Sequence, residues 1–421
     1  MADVLIAGGG PAGTALAILL GRSGFSVELF EARRFPRDKP CGEGIMPAGV
    51  AVLERLGLRA AVGGRPLATV RYHGFGLAAE GGFPGGGRAH AAPHGLAQRR
   101  LHLDNVLWEA ARATPGVRAR EDAPAEGAEI AAGRAVGLRV GGAIVRGGLV
   151  VGADGLESPV RRSLGLDERA SRARLNRRRI GLRRHFRLAA GNPGPDRLEI
   201  FVGRGHELYV APLPDGELLV AALCARGALK QGDAGATAAL ANWIAEEPLL
   251  AGWLDGATAL DAPAGRAPVT RRARRGFAAG AVLLGDAARA SDPLTAGGIA
   301  HALVTAERLA AAVPAFFAEG DAALARFDRE RTRVLRGHRW LTASLLAVVA
   351  RPLLARATLH GMRAAPGIMS YLLGVGGGVA IEPPARQRGI AATAATNSAT
   401  ALPISSATDQ NATLSQRAGS A

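Results

Sequence analysis

The opening residues leave the chain little choice of fold. A short apolar run at 4–7 ends in a glycine cluster, with Gly8, Gly10 and Gly13 in the glycine positions of GxGxxG, and an Ala- and Leu-rich run follows at once. Strand, tight turn and helix in that order open a dinucleotide-binding β–α–β unit. Gly8 permits the tight turn, Gly10 lets the backbone approach a pyrophosphate, and Gly13 lets the helix pack close to the strand. The free N–H groups of the first helical turn then face the anion. With 58 glycines in 421 residues the motif alone is weak evidence, and its sequel strengthens it. Residues 25–30, FSVELF, read as a second strand ending at Glu31, whose carboxylate can accept hydrogen bonds from both ribose hydroxyls of an adenosine.

Residues 32–49, ARRFPRDKPCGEGIMPAG, form a connection punctuated by proline and glycine, and 50–56 reads as a short helix capped by Gly57. A weak strand signal at 68–77 takes the chain into a second sheet. The glycine-rich 81–87 is a turn and not a second phosphate loop, because no helix follows it. The spacing of Leu103, Val106, Leu107 and Ala110 predicts a helix over 96–113 that returns to the nucleotide domain. Strand-like pieces around 137–145 precede the apolar run 148–153, which ends in Asp154-Gly155. Ser158 as N-cap and Pro159 behind it start a helix reaching Leu164.

From 178 to 270 the texture changes. Apolar or alternating runs at 180–188, 198–202, 207–211 and 217–223, separated by Gly/Pro turns, predict an antiparallel sheet, with a helix at 234–244. With the strand near residue 72 this makes a substrate domain inserted into the nucleotide domain. Residues 281–284 form another buried strand with Gly285-Asp286 at its end, and a long apolar helix follows from the 293–302 region to about 312. An Arg-rich amphipathic helix covers 319–337. Apolar helical segments occupy 341–350, 353–359 and 368–373, the first two broken by Pro352. From 383 onward no periodicity remains, and a disordered tail is expected. The boundaries are 1–71, 97–177 and 274–338 for the nucleotide domain, 72–96 and 178–273 for the substrate domain, 339–382 for the helical C-terminal region and 383–421 for the tail.

Composition removes several function classes. Lys and Arg number 52 against 36 Asp and Glu, a net charge of +16. Nearly all the cations are Arg (Lys39 and Lys230 are the lysines), which reads as compositional bias. Without aromatic interleaving, a zinc pattern or a recognition helix, no nucleic acid is expected as partner. The basic stretch 161–187 reads as a solvated face; an anionic substrate, a carrier protein or lipid headgroups are its alternative partners. Cys41 and Cys224 give neither a disulfide framework nor metal spacing. No run approaches eighteen apolar residues without a charge, so no membrane span is expected. The N-terminus enters the first strand without a signal-like segment. That argues for the cytoplasm, with peripheral contact at the inner membrane as the alternative.

Three strand ends thus carry matched features: the turn at Gly8–Gly13, Asp154-Gly155, and Gly285-Asp286. In an open α/β sheet, ligands lie across the carboxyl ends of the strands, so an extended dinucleotide spanning the sheet is expected there. At this point the chain resembles the FAD-dependent aromatic hydroxylases of the para-hydroxybenzoate hydroxylase fold, with their relatives the flavin halogenases and geranylgeranyl reductases, over residues 2–320 or so. The resemblance implies an α/β fold: a Rossmann-like FAD-binding domain of glutathione reductase type, an inserted antiparallel-sheet substrate domain and a helical C-terminal region. It places the family's glycine motif and ribose-binding acid on Gly8, Gly10, Gly13 and Glu31. The FAD-contacting arginine falls on Arg100, three residues before Leu103-Asp104, with Arg99 as its solvated neighbour. The DG motif, attributed to both FAD and reduced nicotinamide binding, falls on VGADGLESPVRRSLG with Asp154, Gly155, Ser158 and Arg161. The GD motif falls on GDAARASDPLTAGGIAHAL. There Asp286 would hold the ribityl chain, Pro293 would line the reacting face, and the backbone of 297–299, with Gly297 and Gly298, would meet the pyrimidine end of the isoalloxazine.

The same resemblance bears on the reaction. Lys39-Pro40-Cys41-Gly42-Glu43-Gly44 resembles the PCG motif of the geranylgeranyl reductases, and Gly42, Glu43 and Pro47 the GE-x-x-x-P signature of halogenase relatives. Where many reductases carry Gly-Glu-Gly before the last helix, this chain has Ala296-Gly297-Gly298. The halogenase lysine in a Trp-x-Trp-x-Ile setting is absent, and neither Trp243 nor Trp253 stands in one, which sets halogenation aside. The leading expectation is an FAD-dependent monooxygenase. It would use NAD(P)H and O2 to hydroxylate or epoxidise a hydrophobic secondary metabolite or lipid-like substrate, free or carrier-bound, through a flavin C4a-hydroperoxide in a dry site. The alternative is a reductase of isoprenoid C=C bonds, for which Cys41 or a bound water is the proton donor. Cys41 as a catalytic thiol beside the flavin stands against Cys41 as a small buried hydrophobe. A flavin-binding protein without catalysis is the third reading. Cys224 belongs to the core, His73, His206 and His301 are the histidines placed to face a cleft, and the pairs Arg271-Arg272 and Arg274-Arg275 would grip the phosphate of NADPH or form a solvated hinge. No metal is expected.

Overall fold

The structure is a computed structural model that describes residues 1–84, 94–168, 179–229 and 233–378. The tail expected from 383, the 85–87 part of the glycine-rich turn and the 169–178 part of the basic stretch lie outside the described residues.

A parallel sheet forms the floor of the molecule. The strand Ala2–Ala7 pairs in parallel with Val27–Phe30 on one side and Ala143–Gly152 on the other, and Val117–Arg120 and Ala281–Leu283 extend the sheet at its two ends. Its central strands are covered on both faces, which is why they read as continuous apolar runs without alternation. The helix Pro11–Arg22, with Pro11 at its first position, is buried along nearly its whole length and packs against the helix Gly298–Glu319. That second helix is long and apolar enough to cross a membrane, yet two thirds of its most apolar window is buried inside the molecule, as in the core helix of a globular fold. An antiparallel hairpin, Ala125–Ala131 and Arg134–Val140, continues from Ala143–Gly152 and carries the strand signal seen around 137–145.

The second sheet runs in the order 258–259, 179–187, 217–225, 206–212, 198–202, 69–74, 77–82, with 264–266 on 179–187. It is antiparallel except at one seam, where Leu198–Val202 lies parallel to Thr69–Gly74. That seam joins two segments far apart in sequence, and no local turn signal announces it. The strand Thr69–Gly74 itself turns back into Leu77–Gly82 as a hairpin. Three short strands, Gly44–Ile45, Gly95–Ala97 and Arg65–Leu67, form a third sheet with Gly95–Ala97 in the middle.

Two local readings shift. The helix expected over 96–113 begins at Arg100, because Gly95–Ala97 is held as a strand and the buried Glu43 carboxylate takes the Arg100 N–H at 2.9 Å. The helix expected from residue 50 begins at Pro47. Towards the C-terminus the apolar segments form three helices, Arg336–Val349, Pro352–Ala364 and Pro366–Gly376, which pack on one another and against the edge hairpin of the second sheet.

Candidate active site

The register of the parallel sheet lines its carboxyl ends up in one row. Ala7 is level with Phe30 and Gly152, and Gly152 with Leu283. The backbone stitches the row together beyond the strands: Gly8 N–H donates to Phe30 O at 2.7 Å, Ala153 N–H to Ala7 O and Leu284 N–H to Gly152 O, both at 2.8 Å. Glu31, the Asp154-Gly155 turn and the Gly285-Asp286 turn therefore stand beside the glycine turn, spread over three neighbouring strand spacings, or about 15 Å.

Each motif glycine has a distinct task. Gly8 adopts φ +104°, and a Cβ there would stand 2.6 Å from the Ala153 carbonyl carbon. A Cβ on Gly13 would run into the Gly8 carbonyl oxygen, so this glycine sets the helix-to-strand distance. Gly10 differs, since its nearest neighbour would be Arg37 Nη2 at 3.8 Å and the space above it is open. Gly9 is restricted too: a Cβ there would meet the buried Trp108 ring at 2.7 Å.

A belt of paired charges surrounds this turn. Glu31 is buried and accepts the Gly9 N–H at 2.8 Å, the Arg33 N–H at 3.2 Å and Arg37 at 3.3 Å. Arg37 also reaches Asp104 at 3.1 Å, and Asp104 takes a bidentate pair from Arg100 at 2.7 and 2.6 Å. Burial pulls the Arg100 guanidinium down, yet Asp104 and the neighbouring Cys41 sulfur hold it above its ordinary value. Cys41 lines the cleft, and its Sγ accepts the Glu43 N–H at 3.3 Å. Lys39 Nζ lies 3.9 Å from Asp286 Oδ2 and 3.8 Å from the position of a Cβ on Gly155, so one ammonium touches two of the three turns. Burial is the main reason its pKa falls below the usual lysine value.

Gly10, Cys41, Arg100, Gly155, Asp286, Pro293, Gly297 and Gly298 open onto one cavity of about 260 Å³. Gly8, Gly13, Glu31 and Asp154 stand behind its wall. Asp154 Oδ2 accepts the Val160 N–H at 3.0 Å and ties its turn to the short helix Pro159–Ser163, leaving Gly155 and Leu156 as the lining residues. At the far end, Asp292 caps the turn at Pro293 by accepting the Leu294 N–H at 3.1 Å, and Ala296 takes φ +50° so that the chain can enter the helix at Gly298. A Cβ on Gly298 would meet nothing within 4 Å, whereas one on Gly297 would meet His301 at 2.7 Å.

The histidines divide. His301 lines the cavity edge-on to His338, with ring centroids 4.0 Å apart. Burial pushes His301 well below the usual histidine range and His338 down to about 4, so both are neutral near pH 7. His73 pairs with Glu199 at 2.7 Å, and His206 stacks on Trp243 with its pKa lowered by burial; neither lines the cavity. Arg271 pairs with Glu157 at 3.0 Å and Arg274 donates to Gly165 O.

One cluster joins a motif residue, Glu43, to partners that no motif includes. His185, on the strand Arg179–Arg187, lies 2.9 Å from Glu43 Oε2 through Nε2 and 2.7 Å from Asp261 Oδ2 through Nδ1. Arg183 pairs with both Asp261 and Asp38. Burial pulls His185 down, but the two carboxylates outweigh it and raise its pKa. The cluster fastens the second sheet to the Cys41 loop and the start of the Arg100 helix. Its members lie up to 223 positions apart, and the one local hint is Glu43, a non-glycine residue at φ +55°.

The donor set fits FAD. Two long helices, Pro11–Arg22 and Gly298–Glu319, begin at the cavity with no side chain capping their first N–H groups, and Gly10 and Gly298 leave the backbone open to close approach. Residues 1–338 match the family described as FAD binding domain. The chain belongs to that family. It is similar to the menaquinone reductase of Mycobacterium tuberculosis, 37% identical over 176 residues (39% of this chain, 40% of the relative). It is also similar to the 6-methylpretetramide 4-monooxygenase of Streptomyces rimosus, 35% identical over 172 residues (39% and 41%). Among solved structures it resembles CmlS, a flavin-dependent halogenase, at a TM-score of 0.70 and 25% identity, covering 83% of this chain and 64% of that one. The matches span about two fifths of the length of these curated relatives.

Proposed function

We propose that this protein is an FAD-dependent monooxygenase that uses NAD(P)H and O2 to oxygenate a long hydrophobic substrate. The observation that carries the long hydrophobic substrate in this reading is the character of the cavity that Pro293 lines. Its wall is built from Met46, Val70, Phe83, Leu198, Ala221 and Leu223, and it shares Met46, Val70, Phe83, Leu198, Tyr209 and Ala296 with a second cavity of about 40 Å³ beneath the C-terminal helices. The Tyr209 hydroxyl is spent on a backbone partner, donating to Leu294 O at 3.1 Å, and burial raises its pKa. An apolar chain is the ligand such a lining stabilises, at about 0.8 kcal/mol per buried CH2.

Bound FAD supplies the redox chemistry, taking electrons from the nicotinamide and passing them on to oxygen. The protein's own residues do the rest. Gly10 and the first turn of Pro11–Arg22 would hold the pyrophosphate, Glu31 would serve the ribose, and Asp286 the ribityl chain. The N–H groups at Gly298 would meet the pyrimidine edge. Pro293 and the apolar wall exclude water where the substrate reacts.

A second reading, reduction of an isoprenoid C=C bond, is favoured by one observation. The Cys41 thiol lines the same cavity beside Arg100 and can deliver the proton that accompanies a hydride. The two readings separate on oxygen. The FAD-loaded protein is given NADPH with a long-chain phenol or a menaquinone, in air and under anaerobiosis, and products are weighed by mass spectrometry. One added oxygen atom, formed only in air, is expected; two added hydrogens under anaerobiosis, lost in Cys41→Ala, overturn the monooxygenase reading in favour of the reductase.

A further inference from the structure

The three C-terminal helices are apolar on both sides. Inward, Leu341, Met362 and Met369 are buried and line the second cavity. Outward, Trp340 is 65% exposed, Leu353 84%, Ile368 56% and Tyr371 70%, with Leu354 beside them. These five are nearly half of the eleven large hydrophobic side chains exposed among the described residues, in a segment of about forty. A surface helix normally turns a polar face to water, and a contiguous set of large exposed apolar side chains marks a face that is covered by something.

Charge says what covers it. Residues 336–378 contain Arg336, Arg339, Arg351, Arg356 and Arg363 and no Asp, Glu or Lys. All but Arg339 are exposed, and Arg339 is half-buried. A second copy of the chain meeting this face about a two-fold axis would set arginine patch against arginine patch, so self-association is disfavoured. Arginine heads above apolar side chains, with Trp and Tyr among them, are the composition of a surface that sinks into the headgroup layer of an anionic bilayer. On such a surface arginine stems can lie along apolar side chains while their guanidinium groups reach lipid phosphates.

We propose that the outer face of the helices Arg336–Val349, Pro352–Ala364 and Pro366–Gly376 docks this protein onto an anionic lipid bilayer. Docking sets the roof of the second cavity against the membrane, where a lipid-like substrate is dissolved. Entry of substrate through that roof rests on the function proposed above; the docking does not, because it needs no turnover.

The full-length, FAD-loaded protein is sedimented with vesicles of phosphatidylcholine alone and of phosphatidylcholine with about one third phosphatidylglycerol. Binding to the anionic vesicles is expected to be stronger by about tenfold or more and to weaken as salt is raised. The triple substitution Trp340→Glu, Leu353→Asp, Tyr371→Glu abolishes it while flavin content and melting temperature stay as in the parent. Leu353→Asp alone, at the most exposed of these positions, weakens it without risk to the fold. Wild-type protein that stays in the supernatant overturns the proposal. So does a triple variant that binds as well as the parent, or a stable dimer in sedimentation velocity that the triple variant dissociates.

Discussion

The floor of the cavity and its roof are built on opposite principles. The floor, at the strand ends, is polar and over-determined: Glu31, Arg37, Asp104 and Arg100 are linked by hydrogen bonds of 2.6–3.3 Å around a turn in which Gly8 and Gly13 press on backbone. The roof, from the second sheet to the C-terminal helices, is apolar packing in which many side chains could trade places. A change in the floor should therefore cost stability or the cofactor, and a change in the roof should cost only the substrate.

The sharpest break lies within the floor itself. Gly10→Val places its side chain in the open space above the turn. Stability should fall by only about 1 kcal/mol, the loss at an N-cap, while FAD affinity falls by about a hundredfold or more. Chemical denaturation and FAD titration of the same variant check both halves. Asp104→Ala removes the partner of two arginines, one of them almost fully buried, and should destabilise the protein by about 3–5 kcal/mol in urea unfolding.

The contact of His338 with the last helix and the Pro293 turn is sensitive to acid. His338 donates through Nδ1 to Gly376 O at 3.3 Å, accepts from Thr295 through Nε2 at 2.9 Å, and is held neutral with a pKa of about 4 against 6.5 when unfolded. Below pH 6.5 the unfolded chain binds a proton that the native state refuses, so stability falls as pH drops. His338→Gln should remove about 2 kcal/mol of the loss measured between pH 7 and pH 5. If the slope is unchanged, the buried neutral histidine is not its source.

The smallest effect is expected in the roof. Leu345→Trp fills the second cavity and should raise KM for a long-chain substrate by about tenfold, the scale of a few lost methylene contacts. A short-chain analogue and FAD loading should be untouched. Equal losses on both substrates would show that floor and roof are not separate.

The same contrast explains what could be read in the chain beforehand. Gly8, Gly10, Gly13, Glu31 and Asp286 sit at the end of a strand or the start of a helix, so residue type and spacing alone carry their placement. The helix starts at Arg100, four residues after the start its periodicity predicts, because that end depends on Glu43, more than fifty positions away. Asp154 carries the motif, yet its carboxylate turns onto Val160 while Gly155 faces the cavity. His185 and Asp261, which join Glu43 in one cluster, and the parallel seam between 198–202 and 69–74 have no local signature. They exist only once the second sheet has closed over the first.

All of this requires that one flavin lie along the row of strand ends. Titration of the flavin-free protein with FAD, followed by the change in flavin fluorescence, tests that most directly. The account predicts saturation at one FAD per chain in the parent and no saturation in Gly10→Val over the same range. A parent protein that takes up no FAD, or a Gly10→Val variant that binds it as tightly as the parent, would contradict it.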